Sequence, residues 1–176
     1  KELFNTKDNG GEGSSETKPS TPAPSGASST KPSTVSSVGS VNARSIADMA
    51  TKAGAKFPKL VAAQWALESA WGKKPSGKNN YFGVKATNNE SSTTKDTWEV
   101  IDGKEVTTTA NFKNYDTPQG SVNDLVGKWY KDYGNYQGVN RAGSAQEAAD
   151  LLLQENYATD PKYASKLKDI MSRFDF

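Results

Sequence analysis

The stretch AAQWALESAWG, residues 62–72, decides how this chain is read. Its alanines and leucine favour a helix, and with the preceding FPKLV the pattern runs from Phe57 to about Trp71, interrupted only by Pro58 near its start. At about 100° per residue, Phe57, Leu60, Val61, Gln64, Glu68 and Trp71 share one face. Ala62, Ala63, Trp65, Ala66 and Leu67 fill the others, and a helix that is apolar nearly all round is buried. Glu68 thus stands in the middle of a core-facing stripe. A carboxylate is unfavourable there unless it is paired, held neutral or put to use.

Composition narrows what that use can be. The chain has 176 residues with no cysteine and no histidine. A Ser-His-Asp triad and a Cys-His pair are both excluded, as are Cys/His zinc sites and disulfides. Acid–base chemistry must come from carboxylates, lysine or tyrosine. Nothing in the residues calls for a metal or cofactor. The net charge is +2 and the pI near 8.6, too mild to argue for nucleic acid but suited to an anionic polymer such as a bacterial wall. No apolar run is long enough to cross a bilayer. The absence of cysteine fits an extracellular protein.

Two regions differ in composition. Residues 1–41 carry TKPSTPAPSGASSTKPSTVSSVGS, a Ser/Thr/Pro/Gly tract with too few large apolar groups to offset its ordering entropy. It reads as a linker to something upstream, and the chain as a mature or excised piece of a longer protein. Residues 42–176 read as one globular domain. SIADMATKAG predicts a helix ending at Gly54, followed by the buried helix, and residues 73–96 predict loop. TWEVIDGKEVTTTANF predicts a β-hairpin turning at Asp102-Gly103, which pairs Ile101 with Lys104 and Glu99 with Val106. Three helices follow: one from Thr117-Pro118 through Tyr133, one opened by a Ser144–Glu147 capping box, and one with Asp160 as N-cap and Pro161 at its first position. The fold class is mainly α (α+β), with one small hairpin.

A buried-helix glutamate, a hairpin bearing carboxylates and no other acid–base residue point to glycoside hydrolysis. That reaction needs a proton donor kept neutral, which burial among apolar groups supplies. It also needs a second carboxylate, or the substrate's acetamido group, to handle the cation-like transition state. Glu99 is the natural second carboxylate, since a hairpin over a helix end walls a cleft. Asp96, Asp102 and Glu105 are rivals that spacing alone does not eliminate. On composition alone the favoured reading of Glu68 is a satisfied core glutamate, and that of Glu99 a solvent-facing strand residue. Gln64, one turn before Glu68, and the flanking aromatics tilt the reading of Glu68 toward a polar cleft. Tyrosines and tryptophans abound, and sugar rings stack on such faces.

AAQWALESAWG, NNYFGVKA, TWEVIDGKEV, NFKNYDTPQGSVNDL and NYATDPKYASKL, in that order, resemble glycoside hydrolase family 73, the peptidoglycan-cleaving glucosaminidase domains of autolysins, flagellar muralytic proteins and phage lysins. The resemblance spans about residues 43–175. It implies a lysozyme-like fold with an α-lobe and a small β-lobe. It also implies Glu68 as general acid, Glu99 as second acidic residue and Tyr157 as a tyrosine needed for activity, orienting the acetamido group or the acid. Asn80, Phe82, Gly83 and Lys85 would shape the cleft floor, and Gln64, Trp71, Tyr81, Tyr115, Tyr136 and Tyr163 would join Asn80 and Phe82 in binding substrate. The chain departs from many members at Ala70, where they have glycine, and at Tyr81, where they have leucine.

The expected activity is cleavage of the β-1,4 bond after N-acetylglucosamine in peptidoglycan. The rivals are a muramidase or lytic transglycosylase cutting the other glycosidic bond, and a wall-binding module without catalysis. The expected partners are glycan strands and an upstream domain joined through the linker, not nucleic acid, and no membrane span is expected. The catalytic domain is expected to be monomeric and to act outside the cell, in the wall or periplasm, or on a phage virion.

Overall fold

The computed structural model describes residues 41–131 and 138–176. The linker expected over residues 1–41 falls outside this range except for Val41, as do Tyr133 and Tyr136.

The first two helices form as their end signals dictate. Helix α1 (Ala43–Ala53) opens on Asn42, whose side chain accepts from the Ser45 N–H at 2.9 Å while the Asn42 N–H donates to the Ser45 hydroxyl at 2.9 Å. It closes at Gly54, in the left-handed region at φ 96°. Helix α2 (Pro58–Ser69) starts on its proline, which has no N–H to leave unpaired. Leu60 through Ala66 are all buried, as is Ser69, so the all-round apolar pattern does mark a central helix. Helices α1 and α5 pack against it, and α4 touches it as well. Its alanines let these neighbours approach closely. Trp71 departs from expectation: α2 stops at Ser69, Ala70 and Trp71 take positive φ (49° and 60°), and the indole swings off the buried stripe to 44% exposure.

The hairpin has the expected register and greater length. Strands β1 (Ser92–Ile101) and β2 (Lys104–Lys113) pair antiparallel, with Ile101 opposite Lys104 and Glu99 opposite Val106. Asp102 and Gly103 both take positive φ (52° and 76°), the primed turn that matches strand twist. Residues 92–96, expected as loop, belong to β1. Their Ser/Thr/Lys composition resembles a linker, but threonine is β-branched and each residue finds a partner between Thr109 and Lys113.

Helix α3 (Pro118–Leu125) is capped by the Thr117 hydroxyl and runs on into a π-helical turn, Val126–Tyr130, which ends at the extended Lys131, while Tyr133, the expected end, lies outside the described residues. Helix α4 (Ala145–Gln154) has half of the expected box: Ser144 accepts from the Glu147 N–H, but the Glu147 carboxylate reaches back to the N–H of Gly143. Helix α5 (Tyr163–Ser172) begins later than expected. Asp160 accepts from the Lys162 N–H through its side chain and from the Tyr163 N–H through its carbonyl, forming a turn that precedes the helix.

The base of the hairpin is fastened to the loop after α2 by a fully buried asparagine. Asn80 Nδ2 donates to the carbonyls of Val84 and Lys113, both at 2.8 Å, and Oδ1 accepts from the Val84 N–H at 3.2 Å. Backbone bonds from Lys113 to Val84 and from Ala86 to Asn111 extend the seam. Asn80→Ala would remove the acceptor of the buried Val84 N–H and the side-chain donor to the Val84 and Lys113 carbonyls, the first of which keeps the Lys113 N–H, a loss of about 2–3 kcal/mol. The expected outcome is a melting temperature lower by roughly 10 °C in scanning calorimetry. A fall of less than about 2 °C would mean the backbone seam alone holds the hairpin.

Candidate active site

Helix α2 carries Glu68 into the core against α5 and the aromatic residues before it. The residue keeps partial exposure, yet its Oε1 is enclosed and has no hydrogen-bond partner among the described residues. Burial holds the carboxyl well above the ordinary carboxylate range. The Tyr163 hydroxyl, hydrogen-bonded to it, and the Lys166 ammonium oppose that shift without reversing it. Lys166 is itself paired with Asp160 at 2.7 Å, which divides its attraction between two acids.

A chain of buried polar groups runs away from this carboxyl. Gln64 Nε2 donates to the Tyr163 hydroxyl at 3.1 Å, and the Tyr130 hydroxyl donates to Gln64 Oε1 at 2.5 Å. Tyr157 donates to the carbonyl of Phe82 at 3.0 Å, stacks on Tyr163 with centroids 5.6 Å apart and meets Trp129 edge-on at 5.0 Å. Burial raises the hydroxyl pKa of Tyr130, Tyr157 and Tyr163, and the Glu68 carboxyl adds to this for the last two. All three therefore stay protonated and able to donate.

Glu99 comes from β1. It shares a sheet face with Thr97 and Phe112, which are buried, and its Oε1 is 2.7 Å from the Lys85 ammonium. Asp96 and Glu105 alternate onto the other face and Asp102 sits in the turn. A small cavity of about 90 Å³ separates the hairpin from the residues after Tyr157, lined by Trp98, Glu99, Val100, Glu105, Thr159, Asp160 and Pro161.

The family model described as mannosyl-glycoprotein endo-β-N-acetylglucosaminidase matches residues 44–176. The chain belongs to the glucosaminidase family. Within it, the exo-glucosaminidase LytG of Bacillus subtilis is 37% identical over 127 residues, 68% of this chain and 44% of LytG. The chain thus spans less than half the length of that curated relative. The catalytic domain of the autolysin Auto from Listeria monocytogenes superposes with a TM-score of 0.59 at 34% identity, covering 74% of this chain and 78% of that one. The glycoside hydrolase domain of FlgJ from Salmonella typhimurium gives 0.57 at 31%, covering 73% and 91%. The lysozyme-like α+β architecture of the glucosaminidases is therefore the architecture here.

Within this glucosaminidase domain the residues expected at the site divide by depth. Glu68, Gln64, Tyr157 and Tyr163 converge, through direct contact or one intermediary. Gln64, Asn80 and Phe82 are fully enclosed and Tyr163 nearly so. Tyr115 is also enclosed, over α3, where its hydroxyl bonds Asp124. Tyr81 is half-buried, and Trp71 is exposed, packed edge-on against Trp65 and Phe174. Tyr136 lies outside the described residues. One residue bonded into this network escaped the expected set: Tyr130 meets Gln64 across 66 positions of sequence, which no local pattern reveals. Lys85 was expected on the cleft floor, but its pairing with Glu99 depends on the fold.

Glu68 also links stability to pH. Its carboxyl is raised in the folded state, so the protein holds a proton that the unfolded chain releases near the ordinary value of 4.5. This contribution is full below that value and is lost as pH rises through the folded pKa. Glu68→Gln, which cannot ionise, is expected to melt about 3 °C or more above the parent at pH 8 and within about 1 °C of it at pH 4. Equal melting temperatures at pH 8 would show that the carboxylate is accommodated without penalty.

Proposed function

We propose that this domain hydrolyses peptidoglycan at the β-1,4 bond after N-acetylglucosamine, with Glu68 as general acid. The observation that carries the reading is a carboxyl on a core helix, held above its ordinary pKa by burial, whose Oε1 is enclosed and has no hydrogen-bond partner among the described residues. A proton donor at neutral pH requires that state. The Glu68 O–H bond breaks as its proton passes to the glycosidic oxygen, and the C1–O bond breaks with its electron pair leaving on that oxygen. Positive charge grows at C1 and the ring oxygen.

Glu99, held by Lys85, supports the role of second carboxylate. It serves either by taking a proton from the attacking water or by steadying the charge while the 2-acetamido oxygen closes on C1, and the anomer of the first product separates the two routes. Glycan strands of the bacterial wall are the proposed partner, met outside the cell or in the periplasm, with the N-terminal tract as tether to an upstream domain.

Digestion of purified peptidoglycan, followed by borohydride reduction and mass spectrometry, is expected to show reduced N-acetylglucosamine at the new ends. Glu68→Gln should lower turnover by about 10²–10⁴. Reduced muramic acid or a 1,6-anhydro end would move the cut to the other bond, and binding without any turnover would make the domain a wall anchor. Lys85→Met, which removes the ammonium 2.7 Å from Glu99 Oε1, should lower kcat about tenfold with Lys85→Arg partly restoring it. A fully active Glu99→Gln would remove the second carboxylate from the mechanism.

A further inference from the structure

At the N-terminal end of α2, away from both carboxylates, lies a groove of about 450 Å³. Phe57, Pro58 and Phe176, all half-buried, give it apolar walls, while the exposed Arg44, Lys56 and Lys59 line it together with one acid, Asp48. We propose that this groove binds the stem peptide carried by the glycan strands of peptidoglycan, with the peptide's carboxylates on Arg44 and Lys59 and its side-chain ammonium on Asp48. The proposal deepens the function proposed above: it rests on the bacterial wall as substrate, but not on Glu68 or on which bond is cut.

Charge selects this occupant. Arg44 lies over the Phe176 ring at 5.6 Å and Lys59 over the same ring at 5.8 Å. The ring holds both cations at one wall without neutralising them, and neither has an ion-pair partner among the described residues. Lys56 is fixed as well, its Nζ donating to the Ala142 carbonyl at 2.8 Å and resting 5.4 Å from the Phe57 centroid. Such a set of cations attracts anions of many kinds. Asp48 narrows the choice. It too lacks an ion-pair partner among the described residues, so a chain of phosphates laid along the groove would meet a like charge. A peptide bearing both carboxylates and an amine satisfies both signs. Stem peptides have that pattern, with a γ-linked glutamate, a diamino acid and alanine methyl groups suited to Phe57 and Pro58. The planar Arg44 guanidinium adds selectivity, since its fork takes a carboxylate through two parallel bonds.

Position lets the groove and the cleft work together. Pro58 opens α2 and Glu68 stands ten residues later, about 15 Å along the axis at 1.5 Å per residue. None of the groove's residues lines the cavity beside Glu99. A stem peptide in the groove therefore leaves the acid free, and the groove would hold the domain on peptide-bearing wall while the cleft acts.

The test is a titration of the full chain with the synthetic peptide L-Ala-γ-D-Glu-L-Lys-D-Ala-D-Ala, followed by amide NMR shifts. Saturable shifts are expected at Lys56, Phe57, Lys59 and Ala145, with Glu68 unmoved. Arg44→Gln and Lys59→Gln should each weaken binding about fivefold, the worth of one hydrogen bond. Asp48→Asn should weaken this peptide about as much, yet leave unchanged the binding of a copy acetylated on its lysine, which a loss of fold would not do. All three variants should cleave soluble, peptide-stripped strands within about twofold of the parental kcat/KM. No saturable binding by a parent that still cleaves stripped strands would overturn the proposal and leave the enzyme in place. Poly(glycerol phosphate) bound more tightly than the peptide would give the groove to a phosphate polymer, and shifts that depend on protein concentration alone would give it to a second copy of the chain. Either result overturns the proposal. A parent that cleaves no wall preparation would instead remove the function beneath it.

Discussion

The structure depends on one unfavourable burial. Helix α2 is the element against which α1, α4 and α5 pack, and burying it all round carries Glu68 out of water with it. A carboxyl so placed must either find cationic partners or give up its charge. Among the described residues no cation pairs with it directly. Lys166 is bonded to Asp160, and its attraction and that of the Tyr163 hydroxyl oppose the effect of burial without reversing it. The balance leaves the acid neutral over the range in which ordinary carboxylates are charged. The same packing that stabilises the fold therefore creates the chemical property of the site, at a cost in stability that grows with pH.

The hairpin answers a different requirement. A glycan cleft needs a second wall, and a two-stranded sheet with few core contacts is not stable in isolation. Asn80 and the backbone seam from Val84 to Asn111 fasten it to the loop after α2, and Tyr157 fastens the same loop from the opposite side through the Phe82 carbonyl. Tyr157 thereby joins three things: the aromatic stack beneath Glu68, the NYFG turn and, through Asn80, the strand pair that carries Glu99. Loss of its hydroxyl would disturb the geometry of both carboxylates at once, a physical reason for a tyrosine at this position that does not require contact with sugar.

What could be read from the residues follows from how local each signal is. The buried helix, the Asp102-Gly103 turn with its register, the stop at Gly54 and the caps at Thr117 and Ser144 were legible because each depends on neighbours within a few positions. Residues 92–96 misled because a Ser/Thr run looks like a linker until a partner strand is present. The N-terminus of α5 shifted because Asp160 spends its acceptors on a turn and on Lys166. At the site, Glu68 was conspicuous as a charge on an apolar stripe. The partners that decide its protonation were not, since Gln64 meets Tyr163 across 99 positions and Tyr130 across 66. Trp71 failed for a geometric reason: projecting a helix past Ala70 placed it on a face that the chain had already left.

That exit from α2 bears on the site itself. Ala70 and Trp71 hold positive φ, a conformation that costs a residue with a Cβ about 1 kcal/mol or more, and Gly72 continues it at 82°. A Cβ on Gly72 would come within 2.9 Å of the Trp65 ring, so the turn is pressed against the helix it leaves. Ser69 secures it, accepting from the Gly72 N–H at 2.9 Å while its own hydroxyl donates to Trp65. The chain reverses one residue after the acid's own turn of helix, which leaves no further helical turn to cover Glu68 from that end. Ending the helix here with a tight left-handed turn leaves Glu68 partly exposed while its Oε1 stays enclosed.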